Sequence, residues 1–171
     1  MKLYLSIINL LLLFNVALAQ ESNIIGQTNK NEILNSRHKS WFNKNYNSYE
    51  PSPKHIKQIK KLLAKNDYKI EVYFGTWCSD SQREVPRLIK ILEASEFDFD
   101  NLKLVGVGPE KKVPNVSKKR QKQLNITNVP TIIVYQDDKE INRFVEYAQE
   151  SLEKDFINIL AKKPYKHSYQ Q

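Results

Sequence analysis

Apolar residues along this chain recur with two distinct periods, and the switches between them mark out its elements. Behind Pro53, Ile56, Ile59, Leu62 and Leu63 follow the spacing of one buried helix face. Residues 68–74, Tyr-Lys-Ile-Glu-Val-Tyr-Phe, alternate and then become continuously apolar, as a strand entering a central sheet does. Gly75-Thr76-Trp77 turns the chain, and Val85, Leu88, Ile89, Ile91 and Leu92 trace a second helix ending near Ser95. Ser79-x-x-Gln82 and Ser81-x-x-Glu84 both fit the capping-box pattern at its start, and Pro86 is expected to kink it. Residues 101–107 predict another buried strand, 108–117 a loop, and the lysine-rich stretch to Leu124 a helix. The strand 131–135 follows Pro130, Asp137-Asp138 turns the chain into a strand at 140–145, and a capped amphipathic helix spans 151–160 before Pro164. Alternation ending in a hairpin predicts an α/β fold, a central mixed sheet with helices on both faces.

The amino-terminal pattern differs. Met1-Lys2, an apolar run from Leu3 to Val16 and Ala17-Leu18-Ala19 read as a secretory signal cleaved after Ala19. The run is shorter than the ~20 residues that span a bilayer, so membrane contact is expected only before cleavage. The expected domains are therefore a signal peptide over 1–19, a polar leader over 20–53, a folded domain over 54–163 and a tail over 164–171. The leader lacks a sustained period and is expected to be poorly ordered. Its aromatics Trp41, Phe42, Tyr46 and Tyr49 nevertheless sit at helix-like offsets, suited to docking on the domain or to meeting a partner. Export implies a periplasmic or extracellular location.

The formal net charge of +8 does not change this picture, because the lysines are scattered through helical stretches as a solvated surface and no nucleic-acid motif accompanies them. His38, His55 and His167 have no ligand spacing with the cysteine, so neither a metal nor another cofactor is expected.

The candidate chemistry lies at Cys78, the only cysteine, which the strand 68–74 delivers to the start of a helix. Unpaired N–H groups and the positive end of the helix dipole favour thiolate at such a place. The plain alternative is a small buried hydrophobe. Asp80 favours the helix start but opposes a nearby thiolate; Ser81 either hydrogen-bonds that thiolate or caps the helix. Arg83 and Glu84 either tune Cys78 or pair on the surface.

Trp77-Cys78-x-x-Ser81, Pro86 and Val129-Pro130-Thr131, taken with the order of elements, resemble the thioredoxin family over about residues 53–160. The stretch from Trp77 to Pro86 is also similar to a Trp-Cys-x-Asp-Ser-x-Arg-Glu-Val-Pro signature of exported thioredoxin-like proteins. The resemblance implies a thioredoxin-like fold, a cis bond before Pro130, and a substrate surface built from Trp77, Val129 and Pro130. A disulfide-containing protein or a low-molecular-weight thiol is the implied partner. Two departures matter. Ser81 stands where the resolving thiol would be, and Val72 stands where the family places a buried carboxylate, with Glu71 turned to the opposite face by strand alternation. The expectation is thiol-disulfide exchange through Cys78 alone, as monothiol exchange, isomerisation or deglutathionylation completed by an external thiol. The alternative is a redox-inactive module that binds peptides in the same groove; a peroxide-reducing thiol is a weaker third.

Overall fold

A computed structural model describes residues 23–170. Its elements are β1 (Gly26–Thr28), α1 (Lys30–Leu34), α2 (Lys39–Ser48), α3 (Pro53–Leu63), β2 (Tyr68–Phe74), α4 (Ser79–Ala94), β3 (Leu102–Gly106), α5 (Lys118–Leu124), β4 (Thr131–Gln136), β5 (Lys139–Val145) and α6 (Leu152–Leu160). The strands form one sheet in the order β1-β3-β2-β4-β5. β2 runs parallel to β3, joined through α4, while β1 on β3, β4 on β2 and β5 on β4 are antiparallel. This is the mixed α/β thioredoxin-like fold expected from the sequence.

Strand alternation divides the interior in two. Val72 and Phe74 of β2, with Leu104, Ile132 and Val134, face the larger core, closed by Leu88, Ile89, Ile91 and Leu92 of α4 and Phe156 and Ile159 of α6. Tyr73, Val105 and Ile133 face the opposite side, covered by Leu124 of α5 and by Val107, Val113, Ile126 and Val129 of its flanking loops. Helices therefore lie on both faces. Asp137 and Asp138 make the β4–β5 turn with φ of 51° and 58°, the left-handed pair that a two-residue hairpin requires.

Residues 26–48 correct the expectation of a poorly ordered leader. Gly26, Gln27 and Thr28 pair with Gly106, Val105 and Leu104, so β1 extends the sheet beyond β3. A side chain at Gly106 would run into the Ile24 carbonyl, and only glycine permits this approach. α2 packs on α4, and Ile33 and Phe42 are fully buried. Trp41, Tyr46 and Tyr49 are half-buried against the same core, so the aromatic cluster docks on the domain and does not form a free partner surface. The domain thus begins well before residue 54. The tail is tied down too: the Tyr165 hydroxyl donates to Asp155 at 3.1 Å and its carbonyl accepts from the Asn142 side-chain amide at 3.2 Å. The signal at residues 1–19 lies outside the described residues.

Candidate functional site

β2 ends at Phe74, and Gly75-Thr76-Trp77 brings the chain to Cys78, the N-cap residue of α4. The Cys78 N–H donates to the Gly75 carbonyl at 3.0 Å, closing the turn. A Cβ on Gly75 would stand 2.5 Å from Cε2 of Trp77, so the turn closes in this way only because residue 75 has no side chain. Trp77 is pinned by its indole N–H, which donates to the Val107 carbonyl at 2.9 Å, while the ring stays 37 % exposed.

Cys78 is partly exposed and unpaired. Its thiol donates to the Val129 carbonyl at 3.1 Å, across the fold at the cis Val129-Pro130 bond. Val129 and Pro130 are buried, so the backbone of this loop, more than its side chains, meets the sulfur. Trp77, Cys78, Val129 and Pro130 are thus brought together.

The remaining candidates serve other ends. Ser81 is fully buried and its Oγ accepts the Gly75 N–H at 3.1 Å, so it neither bonds to sulfur nor caps α4. Both capping boxes fail for the same reason: the turn fixes Cys78 as N-cap, with no side-chain cap bond, and Gln82 reaches back to the Thr76 carbonyl at 2.7 Å. Arg83 pairs with Asp80 at 2.7 Å and with Glu84 at 2.5 Å. Burial lowers the Arg83 pKa, but the hydrogen bonds to Glu84 and Asp80 outweigh it and hold the guanidinium above its ordinary value. Asp80 therefore shares the Arg83 guanidinium with Glu84. Glu84 is no surface residue: it is 3 % exposed, and its Oε2 has no hydrogen-bond partner.

Sequence reasoning missed the other rim of the site. The Glu146 N–H donates to the Pro130 carbonyl at 2.7 Å, and the Glu146 carboxylate accepts from the Tyr169 hydroxyl and, at 3.4 Å, from the Asn128 amide. Tyr147 and Tyr169 pack edge to face at 6.3 Å, both about half exposed. The carboxylate pushes the Tyr169 hydroxyl up to about 12. No spacing in the sequence signals this rim, whose two tyrosines lie just after β5 and near the terminus. His167 lines a cavity with Asn125, Thr127, Thr131 and Arg143, and burial, aided by Arg143, holds its pKa below the usual value. Among the described residues no group of three His, Cys, Asp or Glu side chains is placed to hold a metal.

The family model described as thioredoxin matches residues 26–156. The chain belongs to the thioredoxin family. The match begins at β1, which agrees with the folded start of the domain. Among solved structures, an HIV epitope scaffold is similar with 16 % identity and a TM-score of 0.56, over 81 % of this chain and 92 % of that one. A Pseudomonas aeruginosa protein of unknown function shares 17 % identity over 72 % of this chain and 80 % of its own, with a TM-score of 0.45. Oxidised mitochondrial thioredoxin 3 from Saccharomyces cerevisiae shares 20 % identity over 52 % of this chain and 74 % of its own, with a TM-score of 0.32. The scaffold supports the fold, and the other two add no argument. No curated protein matches.

Proposed function

We propose that this thioredoxin-family protein is exported and exchanges disulfides through Cys78 alone. The observation that carries the reading is the contact of Cys78 Sγ with the Val129 carbonyl at 3.1 Å, at a helix N-cap and beside the exposed Trp77 ring. That hydrogen bond exists only for the protonated thiol. Loss of the proton frees the sulfur to attack and frees the carbonyl to accept an N–H from an extended peptide laid along the loop. The thiolate attacks one sulfur of a substrate disulfide, a Cys78–substrate disulfide forms, and the other sulfur leaves as thiolate. Ser81 cannot release the product, because a hydroxyl forms no disulfide and its Oγ is committed to Gly75. A thiol from solution attacks the mixed disulfide, regenerating the Cys78 thiolate and carrying away the substrate half. The cycle exchanges partners without net oxidation or reduction, as isomerisation and deglutathionylation do.

The test is turnover of a mixed disulfide between glutathione and a peptide, with reduced glutathione as the external thiol. The wild-type protein should accelerate release and accumulate a mass adduct on Cys78; Cys78→Ala should do neither, and equal rates would sink the reading. Export is tested by amino-terminal sequencing of the protein from the producing cells, where the first residue should be Gln20.

A second reading, a redox-inactive peptide-binding module, draws support from the sulfur's hydrogen-bond partner among the described residues being a carbonyl, which offers a thiolate no donor. Its mark is peptide binding that survives Cys78→Ser in a protein without turnover.

A further inference from the structure

Two side chains of opposite charge flank the run of contacts around the thiol, and among the described residues neither has an ion-pair partner. Lys111 Nζ lies 5.8 Å from the centroid of the Trp77 ring, and its one hydrogen bond is a long one, 3.5 Å, to the Pro109 carbonyl. Its neighbours Glu110 and Lys112 are exposed, and the Glu110 carboxylate is folded back towards Gly108. From Trp77 the contacts run to Cys78, then to Val129 at 3.1 Å, and from Pro130 to the Glu146 N–H at 2.7 Å. Glu146 is held by two neutral donors, Tyr169 and Asn128. Among the described residues no cation lies within ion-pairing distance of Glu146 and no carboxylate within that distance of Lys111. Asp80, the carboxylate nearest the sulfur in sequence, pairs with Arg83 at 2.7 Å. Burial, with Arg143, lowers the pKa of His167 on the tail.

We infer that the groove is bipolar and takes an extended polypeptide whose reacting cysteine has an acidic residue on the Lys111 side and a basic residue on the Glu146 side. The inference rests on the exchange reading for its biological meaning, but not for its physics. Trp77 at one end and the Tyr147–Tyr169 pair at the other give apolar contact to either flank, so they set affinity without setting direction. Direction comes from the two charges: reversing the peptide sets lysine against lysine and carboxylate against carboxylate. Charge pairing of this kind acts more on selection than on total affinity. Glutathione disulfide has no such polarity along a strand and should be a poor competitor.

The experiment is a competition that needs no turnover. Two peptides of the same composition, one with Asp before and Lys after a central cysteine and one with the order reversed, are activated as mixed disulfides with thionitrobenzoate. The Cys78 thiolate attacks the peptide sulfur, the Cys78–peptide disulfide forms and thionitrobenzoate leaves, whatever the protein's natural activity. Mass spectrometry reads the ratio of the two adducts. The expected ratio is at least about threefold in favour of one order, since each exposed ion pair is worth up to about fivefold. It should collapse towards one in 1 M salt and invert in the Lys111→Glu, Glu146→Lys double variant. Glu146→Gln alone should reduce it. A ratio of one in the wild type, a ratio indifferent to the double variant, or no adduct with either peptide overturns the inference. The exchange reading is judged separately by turnover with glutathione, so either can fail while the other stands.

Discussion

Truncating Phe42 to alanine tests whether the segment ahead of residue 54 belongs to the cooperative unit. Phe42 is 0 % exposed and sits in α2 against α4, with the Trp41 ring at 6.0 Å and the Tyr46 ring stacked at 6.0 Å. Burial of a phenylalanine side chain is worth about 1.5–3 kcal/mol, and the cavity left by truncation raises the total cost to about 3–5 kcal/mol. The lower half of that range fits best here, because Trp41 and Tyr46 are half-buried and free to relax into the space. A loss of about 3 kcal/mol is a large share of the ~5–15 kcal/mol that holds a domain of this size together. In urea, with a slope near ~2 kcal/mol per molar, the midpoint should fall by about 1.5 M with the slope unchanged. Far-UV circular dichroism and tryptophan fluorescence should report the same shifted transition. A shift under about 0.3 M, or a separate early transition seen only by Trp41 fluorescence, would refute the reasoning and return residues 26–48 to the status of a loosely attached arm.

Three further outcomes follow from the site. Gly75→Ala forces a Cβ to 2.5 Å from the Trp77 ring, so the indole must leave its bond to Val107; its emission should shift to the red and Cys78 alkylation should change in rate. Ser81→Ala leaves the buried Gly75 N–H without its acceptor and should cost about 1–3 kcal/mol in urea titration, whereas Ser81→Cys should cost less. His167 has a depressed folded pKa, so its stabilising contribution is complete above the unfolded value of about 6.5 and is lost as pH falls through the lower folded value. Wild-type stability should drop across that window and His167→Gln should flatten the drop; parallel curves would dismiss the role of His167.

The central strands and α4 were legible because burial on both sides of a sheet and on one stripe of a long helix leaves a strong periodic pattern. Val72 and Phe74 against Tyr73 could be assigned to opposite faces from alternation alone. β1 was not legible, since it contains only Gly26, Gln27 and Thr28 and its reason for pairing lies in the exposed edge of β3. α2 was half legible: the aromatic offsets were visible, yet Asn, Ser and Lys between them hid a helix whose stability comes from docking. At the site, the sulfur and its loop were readable because chain order and cis-proline context sit in consecutive residues. Glu146 and Tyr169 were not, because their contact joins residues 23 apart in the chain through a hydrogen bond no spacing rule anticipates.

Ser81 and Val72 acquire a joint meaning once their surroundings are known. A resolving thiol must be deprotonated to attack, and a proton acceptor beneath it would have to stand on the Val72 side of β2. That side is the large core, where Val72 is fully buried among Ile70, Phe74, Leu104 and Ile132 and itself offers no group to take a proton. The nearest carboxylate in sequence, Glu71, faces the other way and is bound by the Tyr73 hydroxyl at 2.7 Å, the Tyr135 hydroxyl at 3.1 Å and Arg120 at 3.1 Å. Burial and the Glu71 carboxylate in turn push the Tyr135 hydroxyl up to about 12, so this hydroxyl stays a donor to Glu71 near neutral pH. Restoring a thiol at position 81 therefore supplies the sulfur but not the acceptor. The Ser81→Cys variant should form a disulfide with Cys78 under strong oxidant yet resolve a bound substrate no faster than solution thiol does. If instead that single change produced fast resolution, the serine alone would be what separates this chain from a dithiol protein, and the apolar setting of Val72 would carry no mechanistic weight.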